Sequence, residues 1–172
     1  MVKTMTIATI DIGGTGIKFA SLTPDGKILD KTSIPTPESL EDLLAWLDQR
    51  LSEQDYSGIA MSVPGAVNQK TGVIDGFSAV PYIHGFSWYE ALSSYQIPVH
   101  LENDANCVGL SELLAHPELE NAACVVIGTG IGGAMMINGR LHRGRHGLGG
   151  EFGYMTTLAP AEKLNNWSQL AS

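Results

Sequence analysis

Cysteine is scarce in this 172-residue chain. Cys107 and Cys124 are its only two; they share no metal-ligand spacing and stand in apolar surroundings, which points to reduced core thiols. Positive charge is short as well: 10 Lys and Arg face 18 Asp and Glu, for a formal net charge of -8. Proteins that grip a phosphodiester backbone cluster their basic residues, so nucleic acid is disfavoured as a partner. The one local basic run, Arg140, Arg143 and Arg145, reads as a solvated hairpin end. No apolar stretch is long enough to span a bilayer, and Met1 to Met5 is not a signal peptide, so a cytoplasmic location with no membrane attachment is expected. With 44% hydrophobic and 16% charged residues, the chain has the composition of a soluble globular protein of one domain or two small ones.

Two familiar phosphate motifs are missing too. A P-loop needs G-x-x-x-x-G-K and a hydroxyl residue ahead of a helix, but Lys18 is followed by Phe19. What stands there is Thr9-Ile10-Asp11-Ile12-Gly13-Gly14-Thr15-Gly16-Ile17-Lys18-Phe19, two apolar runs joined by a glycine turn next to an acid. Glycine suits a backbone that must reach positive φ and let a ligand approach, and exposed amides form an anion nest. Asp11 would repel a bare phosphate, but a hard cation such as Mg²⁺ between them, held directly or through water, resolves the conflict. Gly13, Gly14, Thr15 and Asp11 therefore read as a metal–nucleotide site. Thr23-Pro24-Asp25-Gly26 supplies the next turn, so the glycine turn joins two strands of a hairpin.

The design returns at Val125-Val126-Ile127-Gly128-Thr129-Gly130-Ile131-Gly132-Gly133, with Asn138-Gly139 as its hairpin turn. Gly128, Gly130 and Gly133 also spell the dinucleotide fingerprint G-x-G-x-x-G, but that motif requires a helix after the glycines and Asn138-Gly139 comes too soon for one. Two phosphate hairpins suggest two related lobes facing each other across a cleft.

Between them, Thr36 can cap a helix that starts at Pro37 and aligns Leu40, Leu43, Leu44, Leu47 and Leu51 on one face. Ile59 to Val63 is nearly all apolar, as in a strand buried on both faces. Strand, helix and strand make a crossover unit, so a parallel strand joins the early hairpin. Gly65 follows at the carboxyl end, either as a pocket wall or simply as a strand terminator. Val67 to Ile74 reads as a surface hairpin, and Gly76 to Phe86 as an irregular loop with Phe77, Tyr82 and His84. Such a loop suits a sugar, whose C–H faces stack on rings, and equally suits plain packing. Ser87 to Glu90 is a capping box. Pro98 to Glu102 is a strand, and Ala105 to Ala115 a helix with Val108, Leu110, Leu113 and Leu114 apolar. Asp104, at their junction, can cap the helix, act as a general base toward an attacking hydroxyl, or do both. The lobe boundary is expected at about Glu120, giving lobes 1–120 and 121–172.

Four segments in order, Asp11 to Thr15, Glu102-Asn103-Asp104-Ala105-Asn106, Gly128 to Gly133 and Gly149-Gly150-Glu151-Phe152-Gly153, resemble the successive signatures of ROK-family sugar kinases. The resemblance covers nearly the whole chain. It implies an α/β fold of the ribonuclease-H-like, actin-like type, with one complete lobe and the start of a second, and ATP and Mg²⁺ as cofactors. It further implies Asp104 as catalytic base, Asn103 and Glu151 on the sugar hydroxyls, and phosphate grips at Gly13, Gly14 and Thr15 and at Thr129, Gly130, Gly132 and Gly133. Gly65, His84 and Tyr154 complete the expected sugar site, and a homodimer is expected at full length.

The departures concern zinc and specificity. The family's histidine after Gly-Glu-x-Gly is Tyr154 in this chain, and Met155 to Lys163 holds no cysteine, so zinc is not expected. A family Asn corresponds to Tyr82 and a family Glu to Asn165. The family's second lobe continues past the position that Ser172 occupies and carries the adenine pocket, so this chain alone is expected to be nearly inactive. The expected reaction is phosphorylation of a hexose, glucose first, at its primary hydroxyl; N-acetylmannosamine or a β-glucoside is the alternative. The family also includes sugar-responsive repressors, which carry a helix-turn-helix ahead of the first hairpin; here that hairpin starts within ten residues of Met1 and the charge is negative, which counts against DNA binding. A sugar-binding module without catalysis is disfavoured by the intact Asp11 and Asp104.

Overall fold

The computed structural model describes residues 5–128, 130–158 and 164–171. The chain divides into two compact units, Met1–Asn103 and Asp104–Ser172.

In the first unit, β1 (Ile7–Ile12), β2 (Gly16–Leu22) and β3 (Ile28–Pro35) form an antiparallel meander. Helix α1 (Leu40–Leu51) crosses over to β4 (Gly58–Val63), which runs parallel to β1. A hairpin of β5 (Ala66–Asn68) and β6 (Val73–Asp75) and the short helix α2 (Trp88–Ala91) lead to β7 (Val99–Asn103), parallel to β4. The sheet order is β3-β2-β1-β4-β7.

Strand side chains alternate between faces, and the register turns that alternation into two rows. Ile10, Phe19, Met61 and Leu101 are neighbours on adjacent strands and at most 2% exposed. With Leu43, Leu47 and Leu51 of α1 and the fully buried Trp88, they join one core. Next to them along the strands, Ser33, Lys18, Asp11, Ser62 and Glu102 form a polar row that crosses all five strands. This row corrects the expectation for β4. Its residues alternate, with Ile59, Met61 and Val63 buried and Ala60 and Ser62 half-buried, because the second face carries the polar row.

Helix α1 also starts later than the sequence suggests. Ser39 is its N-cap, accepting a hydrogen bond from the Asp42 N–H at 3.1 Å, while Thr36 turns its hydroxyl to the Gly13 carbonyl. Ser87 caps α2 as expected, accepting from the Glu90 N–H. The β5–β6 hairpin forms, but Val67 and Ile74 enter the core instead of lying on the surface.

In the second unit, α3 (Asp104–Ala115) precedes the antiparallel strands β8 (Ala122–Ile127), β9 (Ile131–Ile137) and β10 (Arg140–Leu141), in the order β10-β9-β8. A strand follows the Gly128–Gly130 turn, not a helix, and Asn138 and Gly139 take φ of 53° and 67° in the next turn. Strands β11 (Thr156–Leu158) and β12 (Leu164–Asn166) pair antiparallel and lead to α4 (Trp167–Ala171). Helix α3 presents small residues to the sheet. A methyl on Gly109 would stand 2.5 Å from Ala134 Cβ, and one on Gly132 would stand 3.2 Å from Ala105 Cβ. The apolar residues singled out in sequence lie partly outward, with Leu114 86% exposed. This close seat on β9 groups α3 with the second unit, so the division falls at Asn103, where the sequence suggested Glu120. Among the described residues, no helix is long and apolar enough to cross a membrane.

Candidate active site

The first glycine turn closes on itself, the Gly13 N–H donating to the Gly16 carbonyl at 3.1 Å. None of Gly13, Gly14 and Gly16 adopts positive φ, so the expectation of left-handed backbone here is corrected: these glycines answer to space. A methyl on Gly14 would lie 2.6 Å from Ala79 Cβ, and one on Gly16 would lie 3.2 Å from the Ile34 carbonyl. Gly14 and Thr15 are exposed, and the turn borders an open groove of about 510 Å³ lined by Gly13 to Gly16, Lys18 and Ser33.

Asp11, at the carboxyl end of β1, is held from two sides. Ser62 Oγ donates to its Oδ1 at 2.9 Å, and Lys18 Nζ donates to its Oδ2 at 2.8 Å. Both members of the ion pair are substantially exposed, so the pair adds little stability, yet the hydrogen bond and charge of Asp11 hold the Lys18 ammonium above its ordinary pKa. Each carboxylate oxygen can accept more than one hydrogen bond, which leaves Asp11 able to hold a water. Among the described residues no group of three or more His, Cys, Asp or Glu converges on one point. The donors present thus suit an ion held by one carboxylate through water and otherwise by its ligand's phosphates, which is how Mg²⁺ commonly binds.

Three expected sugar-site residues meet in this unit. Asn103, 8% exposed, donates its side-chain amide to the Gly65 carbonyl at 3.1 Å. Gly65 has φ of +105°, and a methyl there would be 2.9 Å from His84 Cε1. His84 Nε2 shares a hydrogen bond with Ser78 Oγ at 2.7 Å, and its Nδ1 is buried without a partner among the described residues. Beneath them Trp88 donates its indole N–H to the Ile83 carbonyl at 3.0 Å, which fixes the end of the loop. Tyr82 donates its hydroxyl to the Pro37 carbonyl.

The second unit brings Asp104 and Glu151 into electrostatic reach, although 46 residues separate them in sequence. Asp104 is exposed at the start of α3, its Oδ1 accepting the Ala105 N–H at 2.8 Å. Burial raises the Glu151 carboxyl above its ordinary value, and the nearby Asp104 charge raises it further. Tyr154 is 60% exposed, three residues beyond Glu151. Asn165 lies in β12 opposite Thr157.

The second glycine turn is shorter than its sequence pattern. The Gly128 N–H donates to the Gly130 carbonyl at 2.9 Å, and Thr129 lies outside the described residues. Gly132 and Gly133 already belong to β9, where Gly133 is buried and a methyl on it would run into the Phe152 ring. Their lack of side chains serves packing by Ala105 and Phe152.

Ser62, Ser78, Ala79 and the Thr36 hydroxyl escape a reading of the sequence. Ser62 alone leaves a trace, as a hydroxyl inside an apolar strand at a position that the parallel pairing aligns with Asp11.

Comparison with known proteins gives the family and the fold. The ROK family profile matches residues 7–164. A β-glucoside kinase of Listeria monocytogenes is 42% identical over 163 residues, covering 91% of this chain and 55% of the relative. A ROK family protein from Streptococcus pneumoniae TIGR4, solved in complex with sucrose, is 97% identical with a TM-score of 0.89, over 96% of this chain and 57% of that one. A ROK family glucokinase from Streptomyces griseus, solved with glucose and AMPPNP, has a TM-score of 0.79 at 25% identity, over 97% of this chain and 57% of that one. The chain therefore spans about half the length of the curated relatives it matches. Its fold is that of the actin-like sugar kinases, and the chain belongs to the ROK family.

Proposed function

We propose that this protein transfers the γ-phosphoryl group of ATP to the primary hydroxyl of a hexose unit, glucose first. The observation that carries the reading is the exposed Asp104 carboxylate at the head of α3, beside a Glu151 carboxyl of raised pKa. Asp104 accepts the proton of the attacking hydroxyl as its oxygen bonds to phosphorus and the bond to the ADP oxygen breaks. The Ala105 N–H fixes the orientation of that carboxylate. Asn103, with Gly65 and His84 beside it in the first unit, and Glu151 and Tyr154 in the second are the residues read as orienting the sugar, and the glycine segments at Gly13 to Thr15 and at Gly128 to Gly133 are read as the phosphate grips. Asp11 would hold Mg²⁺ through water; that ion, when bound, neutralises charge on the phosphates.

A second reading concerns the acceptor: the hexose unit arrives as part of a β-glucoside. The 42% identity to a β-glucoside kinase supports it, as does the exposed Tyr154 ring, which can stack on a second sugar. An ADP-release assay on the intact protein with glucose, N-acetylmannosamine and cellobiose separates the readings. Replacing Asp104 by Ala should lower turnover by roughly 10²- to 10⁴-fold while sugar binding survives. Turnover equal to that of the unaltered protein would reject Asp104 as the base.

A further inference from the structure

A backbone turn that receives an anion must keep its carbonyl oxygens off the anion's side. In the first glycine turn, Gly16 accepts from Gly13 within the turn, and the remaining two carbonyls with partners go to a single residue. Thr36 Oγ1 donates to the Gly13 carbonyl at 2.6 Å, and the Thr36 N–H donates to the Thr15 carbonyl at 3.2 Å. The N–H groups of Gly14 and Thr15, by contrast, make no hydrogen bond among the described residues, and both residues are exposed. Thr36 is itself fixed in place. The residue before a proline is confined to extended backbone, and Pro37 accepts the Tyr82 hydroxyl on its carbonyl. From the other side, Ala79 fills the space beside Gly14.

We infer that Thr36 is a positioning residue for nucleotide binding, tying back the Gly13 and Thr15 carbonyls so that the turn offers only N–H groups to the phosphates of ATP. The inference rests on the kinase reading and adds to it a residue outside every glycine motif. Removing the hydroxyl frees the Gly13 carbonyl to swing toward the phosphate, where it repels charge and misdirects the N–H beyond it.

The test is steady-state kinetics on the intact protein and its Thr36→Val and Thr36→Ser variants. Thr36→Val should raise KM for Mg·ATP about tenfold and leave KM for the sugar within about twofold, and Thr36→Ser, which keeps the donor, should restore the parent value. An unchanged KM for Mg·ATP in Thr36→Val overturns the inference. So does an equal loss for both substrates that Ser fails to rescue, because that is the mark of general unfolding. If the unaltered protein releases no ADP with any sugar, the kinase reading fails first and the role of Thr36 falls with it.

Discussion

Gly65, beside Asn103 and His84 in the first unit, leaves no room for a side chain, and Gly65→Ala measures that constraint. At φ of +105° an L residue is strained, at a cost of about 1–3 kcal/mol. The added methyl would also stand 2.9 Å from three atoms: the Asp75 carbonyl oxygen, His84 Cε1 and Ile74 Cγ2. The first is backbone and cannot swing away, so crowding adds about 1–3 kcal/mol. Gly76 provides the control, since it has a similar φ of +90° and nothing within 4 Å of where its methyl would go. Gly76→Ala therefore carries the strain alone, and the difference between the two variants isolates the crowding. For a chain of this length each kcal/mol moves Tm by roughly 2–4 °C, so Gly65→Ala should melt about 6 °C below Gly76→Ala. Melting followed by tryptophan emission is suited to the measurement, because Trp88 is fully buried beneath the same loop. If the two variants melt together, the claim that Gly65 is required for space is refuted.

The remaining expectations concern charge and the metal site. Because Glu151 has a raised pKa, the folded state holds its proton more tightly than the unfolded state does; the resulting stabilisation is complete below the ordinary value of 4.5 and is lost as pH rises through the folded value. Glu151→Gln removes that loss, so its Tm relative to the parent should climb with pH across the acid range; a constant or falling difference between about pH 4 and 8 would contradict the burial of this carboxyl. Ser62→Ala removes the donor to Asp11 Oδ1 and should raise the Mg²⁺ concentration needed for half-maximal turnover several-fold, about the effect of one hydrogen bond to a charged group. Equal metal dependence in parent and variant would show that Ser62 does not position Asp11.

The legible parts of this molecule are those written in consecutive residues. The first glycine turn, the Asn138-Gly139 hairpin, the leucine face of α1 and the Asn103-Asp104 junction follow from local pattern, and each is where the sequence suggests, whereas the second glycine turn is shorter than its pattern. What the sequence hides depends on register and on contacts between distant segments. Ser62 matters because a parallel pairing sets it beside Asp11, 51 residues away. Thr36 and Ser39 are both good caps three residues apart; the structure gives the helix to Ser39 because the Gly13 carbonyl claims the Thr36 hydroxyl. The role of glycine is misread from sequence for a related reason. Positive φ is a local property, whereas the closeness of Ala79 to Gly14 or of Phe152 to Gly133 is set by tertiary packing. Helix α3 hides its inner face because Ala105 and Gly109, small and inconspicuous in the sequence, do the packing expected of its larger apolar residues.

The contact between Gly14 and Ala79 ties two loops together. With a methyl at position 14 only 2.6 Å from Ala79 Cβ, the pair has room for one β-carbon and no more. Adding a side chain at position 14 therefore forces the turn and the loop that carries Ser78 and His84 apart, so the position of one segment is coupled to the position of the other.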